Sequence, residues 1–461
     1  MFRSFLAALC LATLGRADDA DIKGAQRLFT AWMEGQMTAK SMPGVVVGVI
    51  ADQELVWTSS FGMADMAAKR PMAAGTKFRM ASHSKLFTAT AIMQLREQGK
   101  VRLDDPVAKY LPWFKVKTAS PDDPAITVED LLTHASGLPR EAGSHWSTLE
   151  FPTSAELKNL LPERQAAFSP EVRWKYSNLA YSLAGMIVEA ASGETWAGYV
   201  QKHIFDPLGM TSSSVDKPDT GLAVGYGRKM PDGSREVMPF VDARGMAAAT
   251  GITSTVEDMA KFVSAQFQRG KILSIGSLRE MHRVRMMEST WTNGYAIGFS
   301  VKREKDKIYV GHGGGYPGYL TQTYFMPDSK VGVVVLTNSA DSSPGDIAMQ
   351  LLASVGDAVA KARAAKPKMV SWDPAWSRFA GVYRSRSGDS QVLELNQRLV
   401  ILTLGGATLE NPVRLEALGA GRFRFTAATG GGVVGEVVRF EEVDGKVVRM
   451  FTGDSFAKRL Y

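Results

Sequence analysis

Ser82-His83-Ser84-Lys85 sets a hydroxyl and an amine three residues apart. On a helix, positions i and i+3 share a face, so these two side chains would meet. A serine attacks a carbonyl only when a nearby base takes its proton. A lysine becomes such a base when burial disfavours its charged form. The run that follows, KLFTATAIMQLREQ over 85–98, is apolar nearly all round from Leu86 to Leu95 and is closed by Gly99. That pattern predicts a helix inside a domain rather than on its surface. At its start, Ser82 would lie beside free N–H groups that favour developing negative charge.

Spacing alone is a weak signal, because Ser214–Lys217 and Ser455–Lys458 repeat it. The first of these sits in the loop SSSVDKPD and the second in a polar strand near the C-terminus, and neither has an apolar helix behind it. Two other segments add to Ser82 and Lys85. Tyr176-Ser177-Asn178 stands just before the helical run NLAYSLAGMIVEAASG at 178–193. A tyrosine near Lys85 would pass protons between Ser82 and a leaving group, and Asn178 would donate to a substrate amide or carbonyl. His312-Gly313-Gly314-Gly315 lies between two strands, where glycines let a substrate backbone approach and offer N–H groups to an oxyanion. No G-x-S-x-G elbow occurs, and Gly453-Asp454-Ser455 matches a lipase motif only superficially.

The elements that must hold these residues read as follows. Residues 43–64 form two strands joined at Asp52-Gln53, and residues 293–338 hold four more, with Pro327-Asp328 as one turn. Between them run helices and loops, including VEDLLTHASGL at 128–138, a helix ending at Gly137. Residues 346–364 are helical again. The expected class is α+β: one antiparallel sheet built from both ends and covered by helices, beside an all-helical lobe. Composition changes at 361–372, an Ala/Pro stretch read as a linker between a domain at 18–360 and a second at 373–461. In the latter, short strands such as RLVILTL and KVVRMFTG, with a turn at Asp444-Gly445, predict a small antiparallel barrel-like domain.

The first residues read as a signal peptide over 1–17, with Arg3 as its positive end, an apolar stretch from Phe5 to Leu14, and Gly15-Arg16-Ala17 as a cleavage site. That implies a periplasmic or secreted protein with no stable membrane insertion after cleavage. Cys10 is the chain's one cysteine, and Leu9 is too bulky to precede a lipidated one. Disulfides and thiolate chemistry are excluded from the mature chain. The formal charge of +7 becomes +5 without Arg3 and Arg16 and is spread along the chain, which gives no footprint for nucleic acid. His83, His145, His203 and His282 lack metal-ligand spacing, and His134 reads as structural, bonding backbone near Gly137. No metal or other cofactor is expected.

Ser82-x-x-Lys85, Tyr176-x-Asn178 and His312-x-Gly314, in this order, resemble the three motifs of the serine β-lactamase and penicillin-binding protein superfamily. FRMASHSKLFTATAIMQLREQGKVRLDDPVAKYLP and LLTHASGL are similar to the class C β-lactamase-like hydrolases, a branch with esterases and D-amino-acid peptidases. The resemblance spans roughly residues 25–345, and the C-terminal segment resembles lipocalin-like domains more loosely. It implies Ser82 as nucleophile, Lys85 and Tyr176 as base and acid, and Asn178, His312, Gly314 and Gly315 as substrate-binding residues. Gly315 would share an oxyanion hole with the Ser82 N–H. The superfamily usually has lysine where this chain has His312, and a histidine is mostly neutral at pH 7. The expected reaction is therefore hydrolysis of small esters or D-amino-acid amides through an acyl-enzyme. β-Lactamase or D,D-peptidase activity is the alternative within that chemistry, and a non-hydrolytic envelope binding protein the alternative outside it. The oligomeric state is not legible.

Overall fold

The computed structural model describes residues 16–461 apart from 216, 219, 269, 365–371, 405–412 and 427–433. Nearly all of the expected leader at 1–17 lies outside them. The chain divides into two compact units, one ending at Ala364 and the other beginning at Ala365.

The first unit is built on a nine-stranded antiparallel sheet. Its centre joins the two ends of the unit. The strand β1 (Gly44–Ala51) pairs with β2 (Glu54–Asp65) on one side and with Val331–Thr337 on the other, in the register Val45 to Thr337 and Ala51 to Val331. Tyr319–Met326, Lys307–Tyr316, Ser300–Glu304 and two short strands continue the sheet outward. Every residue of β1 and of Val331–Thr337 is buried, so both faces of the sheet are covered. Side chains alternate between faces along a strand. Val45, Val47 and Val49 therefore join Phe29 and Met33 of the helix α1 (Arg16–Lys40), together with Ile347, Leu351 and Val355. Val46 and Ile50 face the other way, into the larger core with α2 (Ser84–Glu97).

α2 is apolar all round because helices surround it. Ser84 to Met93 and Leu95 are buried, with Phe87 packed on Phe205 and Phe262 at ring separations of 5.4 and 4.3 Å. The helix Asn178–Ser192 lies against α2 and ends on Gly193 in the left-handed region (φ 78°), as its sequence pattern requires.

One element differs from the sequence expectation. The helix at 128 stops at Leu132 rather than near Gly137. A Thr127–Asp130 capping box starts it, but His134 then takes φ 59° and turns the chain toward residues 175–177. There the His134 carbonyl accepts from the Lys175 N–H, and its ring Nδ1 accepts from the Ser177 N–H. Gly137 (φ 66°) serves a close crossing, since a Cβ there would sit 1.8 Å from the Phe168 carbonyl oxygen. At the far end, the helix expected over 346–364 runs from Pro344 to Arg363, so the first positions of the stretch read as a linker are helical. Arg363 is anchored there by the Ala51 carbonyl and the Glu54 carboxylate.

The second unit is a closed antiparallel barrel of eight strands, each paired with the next, and the last (Ser455–Arg459) with the first (Gly381–Ser385). Asp444 and Gly445 both have positive φ, 49° and 75°, which suits the tight turn between two of its strands. Val392, Ile401, Phe423 and Met450 fill the interior, together with Trp376 and Phe379 from the short helix Pro374–Phe379.

Among the described residues no helix is long and apolar enough to cross a membrane.

Candidate active site

The turn that presents Ser82 is assembled from outside itself. A bridge pairs Phe78-Arg79 with Thr253-Ser254, and the Met80 N–H donates to the Ile252 carbonyl. Ala81 is held at φ 51°, unusual for a residue with a Cβ. The first residue of α2 fixes it: Ser84 Oγ donates to the Ala81 carbonyl and accepts from the Ile252 N–H. Ser82 thus lies in a short 3-10 turn, Ala81–His83, immediately before α2. It keeps partial exposure while its neighbours are buried.

Lys85 is fully buried at the first turn of α2. Its Nζ lies 3.1 Å from Ser82 Oγ, 2.7 Å from Asn178 Oδ1 and 2.9 Å from the Ala249 carbonyl oxygen. Burial pushes its pKa well below the usual lysine range; the Glu141 carboxylate opposes this shift and the Arg140 guanidinium adds to it. A neutral amine has two N–H donors and one lone pair. The two acceptors, Asn178 Oδ1 and Ala249 O, take the donors and leave the lone pair toward Ser82.

Tyr176 approaches from the helical lobe, its OH donating to Ser82 Oγ at 2.7 Å. Burial holds this phenol well above its ordinary range, with the Ser82 hydroxyl as the main opposing influence. It therefore keeps its proton at neutral pH. Its ring rests on the His134 ring at 4.3 Å and lies 4.9 Å from Lys85 Nζ. The hydroxyl of Ser82 thus receives one hydrogen bond from Tyr176 and has its own proton free for Lys85.

The strand Lys307–Tyr316 forms the opposite wall. A Cβ on Gly314 would stand 2.3 Å from the Met80 carbonyl oxygen, so the strand lies directly on the Ser82 turn. Beyond Gly311 its outer edge has no strand partner among the described residues, because the adjacent strand begins at Ser300, opposite Gly311. Gly315 is exposed on that edge.

His312, expected among the substrate-binding residues and mostly neutral, is held inside the protein. It is 4 % exposed, with Nδ1 2.6 Å from the Gly313 carbonyl and Nε2 2.9 Å from the Tyr295 hydroxyl. A carbonyl only accepts, so Nδ1 carries the proton and Nε2 accepts from Tyr295. Burial, then the nearby Lys85 and His83, lower its pKa to about 3. It offers no positive charge at neutral pH.

The structure brings Ser82, Lys85, Tyr176, Asn178, His312, Gly314 and Gly315 into one locus. Ser214–Lys217 and Ser455–Lys458 take no part in it: Lys217 reaches over Phe240, and Lys458 is exposed on a barrel strand. Sequence reasoning missed Glu141, which accepts from Asn178 Nδ2, and Tyr295, which holds His312. It also missed the Ala249 carbonyl on Lys85. None belongs to a spaced motif, and a backbone acceptor leaves no mark in a sequence.

Comparison with known proteins identifies the family. The Beta-lactamase family model matches residues 29–356. The putative penicillin-binding protein PbpX of Bacillus subtilis (strain 168) is 32% identical over 294 residues, covering 63% of this chain and 69% of its own. Esterase EstB of Burkholderia gladioli is 32% identical over 206 residues, covering 42% of this chain and about half, 52%, of its own. A solved structure, the octameric penicillin-binding protein homologue from Pyrococcus abyssi, is 26% identical with a TM-score of 0.65, and the match covers 93% of this chain and 98% of that one. The chain belongs to the Beta-lactamase family and is a serine hydrolase.

Proposed function

We propose that the enzyme hydrolyses small uncharged esters or D-amino-acid amides through an acyl-enzyme on Ser82. The observation that carries this reading is the convergence of Lys85 Nζ and the Tyr176 hydroxyl on one oxygen, at 3.1 and 2.7 Å. In acylation the Ser82 proton passes to the Lys85 lone pair as Oγ bonds to the substrate carbonyl carbon, and the carbonyl electron pair moves onto oxygen. The N–H groups of Ser82 and Gly315 are the donors assigned to that oxyanion. When the intermediate collapses, Tyr176 protonates the leaving alcohol or amine and regains its proton from Lys85. In deacylation water attacks the acyl carbonyl, its proton reaching the Lys85 lone pair by relay through the Tyr176 hydroxyl, and Lys85 returns a proton to Ser82 Oγ as the ester bond breaks.

The neutral His312 supports uncharged substrates over carboxylate-bearing β-lactams, and the named esterase relative supports the ester arm. Parallel assays with a p-nitrophenyl ester, a D-alanyl anilide and a chromogenic cephalosporin test the proposal. Ester or anilide should turn over fastest at pH 7; a cephalosporin hydrolysed faster than both would make the enzyme a β-lactamase. We further read residues 1–17 as an export leader and the enzyme as periplasmic or secreted. The closed up-and-down form of the eight-stranded barrel supports a lipocalin-like reading of the second unit.

A further inference from the structure

Asn178 has both ends of its amide engaged. Oδ1 receives Lys85 Nζ, and Nδ2 donates to one oxygen of the Glu141 carboxylate. The other carboxylate oxygen lies 3.0 Å from Nε2 of His145, whose side chain is buried, and only 13% of the Glu141 side chain is exposed. Turned over, the Asn178 amide would aim its NH2 group at the lysine amine and its oxygen at the carboxylate. A carboxylate has no hydrogen to give, so acceptor would face acceptor. Glu141 therefore allows one orientation, the one that occupies a Lys85 N–H and leaves the lone pair on Ser82.

The same carboxylate matters electrically. Around Lys85 stand the Tyr176 and Tyr181 rings, the Arg140 guanidinium, and the buried His83, His134 and His312. Glu141 is the acid in this company, and it opposes what burial and Arg140 do to the lysine.

We propose that Glu141, braced by His145, is a positioning residue: it locks the Asn178 amide and supplies the negative charge that Lys85 faces. This rests on Lys85 as the base of the reaction proposed above.

The test uses the full chain and Glu141→Gln, Glu141→Asp, Arg140→Gln and Lys85→Ala, with active sites counted by fluorophosphonate titration and kcat/KM for a p-nitrophenyl ester followed from pH 4 to 9. Glutamine presents either a donor or an acceptor to Asn178, so kcat should fall roughly ten- to a hundredfold with little change in KM. Without the anion the lysine loses its proton more readily, and the acid limb should move to lower pH by roughly half to one unit. Glu141→Asp keeps the charge and should hold the limb in place. Arg140→Gln removes the opposing cation and should move the limb to higher pH. A purely structural role would lower the count of active sites without moving any limb. The proposal is overturned if Glu141→Gln leaves both kcat and the limb unchanged, or moves the limb upward. Should that variant not fold, an unmoved limb in Arg140→Gln overturns it equally. If Lys85→Ala still acylates, the base assignment itself is wrong; if Lys85→Ala is inert and the limbs stay fixed, the positioning role alone fails.

Discussion

Both units of the chain carry a serine three residues before a lysine, and they use that spacing in opposite ways. Ser82 and Lys85 stand on a 3-10 turn running into a helix, which puts both on one side, and Lys85 is fully buried against Ser82. Ser455 and Lys458 stand on the last barrel strand, where residues three apart point to opposite faces, and both are exposed. Around the first pair the unit buries His83, Lys85, His134, Asn178 and His312. The barrel's buried residues, among those described, are apolar or aromatic, such as Val392, Phe423 and Tyr383. Spacing therefore does not make a nucleophile. What makes one is a desolvated amine with its donors already occupied.

The largest expected effect breaks this comparison most directly. Ser82→Ala should cost on the order of 10⁴-fold or more in turnover, since no other group in the locus can form the acyl bond. Ser455→Ala should leave turnover within about twofold. A fluorophosphonate adduct located by mass spectrometry should fall on the peptide containing Ser82. An adduct on Ser455, or lost turnover in Ser455→Ala alone, would mean that exposure on a strand does not silence the pair.

Much of this locus is legible in the sequence because its chemistry is concentrated in short spaced motifs backed by periodic helices. The all-round apolar pattern after Lys85 signals burial, and burial signals a base. The apolar run of β1 and the alternating or apolar strands after 293 likewise announce a sheet built from both ends. What escapes is set by tertiary contact. The helix at 128 ends early because His134 is recruited to Tyr176 and Ser177, against a local pattern that favours continuing. Glu141 is a lone acid in a loop until Asn178 and His145 are brought to it. His312 reads as a turn or site histidine, yet its behaviour is decided by Tyr295 and the Gly313 carbonyl.

A smaller effect sharpens the contrast between the two units. All six histidines lie before position 313, and burial lowers the pKa of His83 and His282 to about 4, of His312 to about 3, and of His134 well below the usual value. These rings stay neutral when folded but ionise in the unfolded chain below about pH 6.5. The unfolded state then binds more protons, so stability is full above pH 6.5 and falls as pH drops toward the folded values. At pH 5 each such ring removes on the order of 1–2 kcal/mol. The barrel has no histidine, and its paired carboxylates, such as Asp389 and Glu416, are held below their ordinary range. They weaken it only at lower pH. Calorimetry with hydrogen exchange, from pH 7 to pH 5, should show the first unit loosening while barrel amides keep their protection. Equal loosening of both units would contradict the burial of these rings.

The smallest effect asks how far burial silences a basic residue. From sequence alone, a histidine at 312 would gain charge as pH falls through 6.5, and cephalosporin turnover would rise relative to ester turnover. With the pKa lowered to about 3 and both ring nitrogens engaged, His312 stays neutral from pH 5 to 8. The wild-type ratio of cephalosporin to ester turnover should therefore be flat across that range, because a change in Lys85 protonation affects both substrates alike. A lysine at this position differs in kind. Its longer, flexible stem can carry the amine past Gly313 toward the open strand edge, where hydration keeps it charged. A charge-assisted hydrogen bond to a substrate carboxylate contributes about 1.5–3 kcal/mol, roughly ten- to a hundredfold in rate. The loss of the Tyr295 contact and the crowding of the buried site offset part of that. His312→Lys should then raise the ratio at pH 7 by several-fold, up to roughly tenfold, with ester turnover reduced. A wild-type ratio that climbs between pH 7 and 5 would show that the ring titrates in contact with substrate. An unchanged ratio in the lysine variant would show that charge at this position does not govern which acyl group the site accepts.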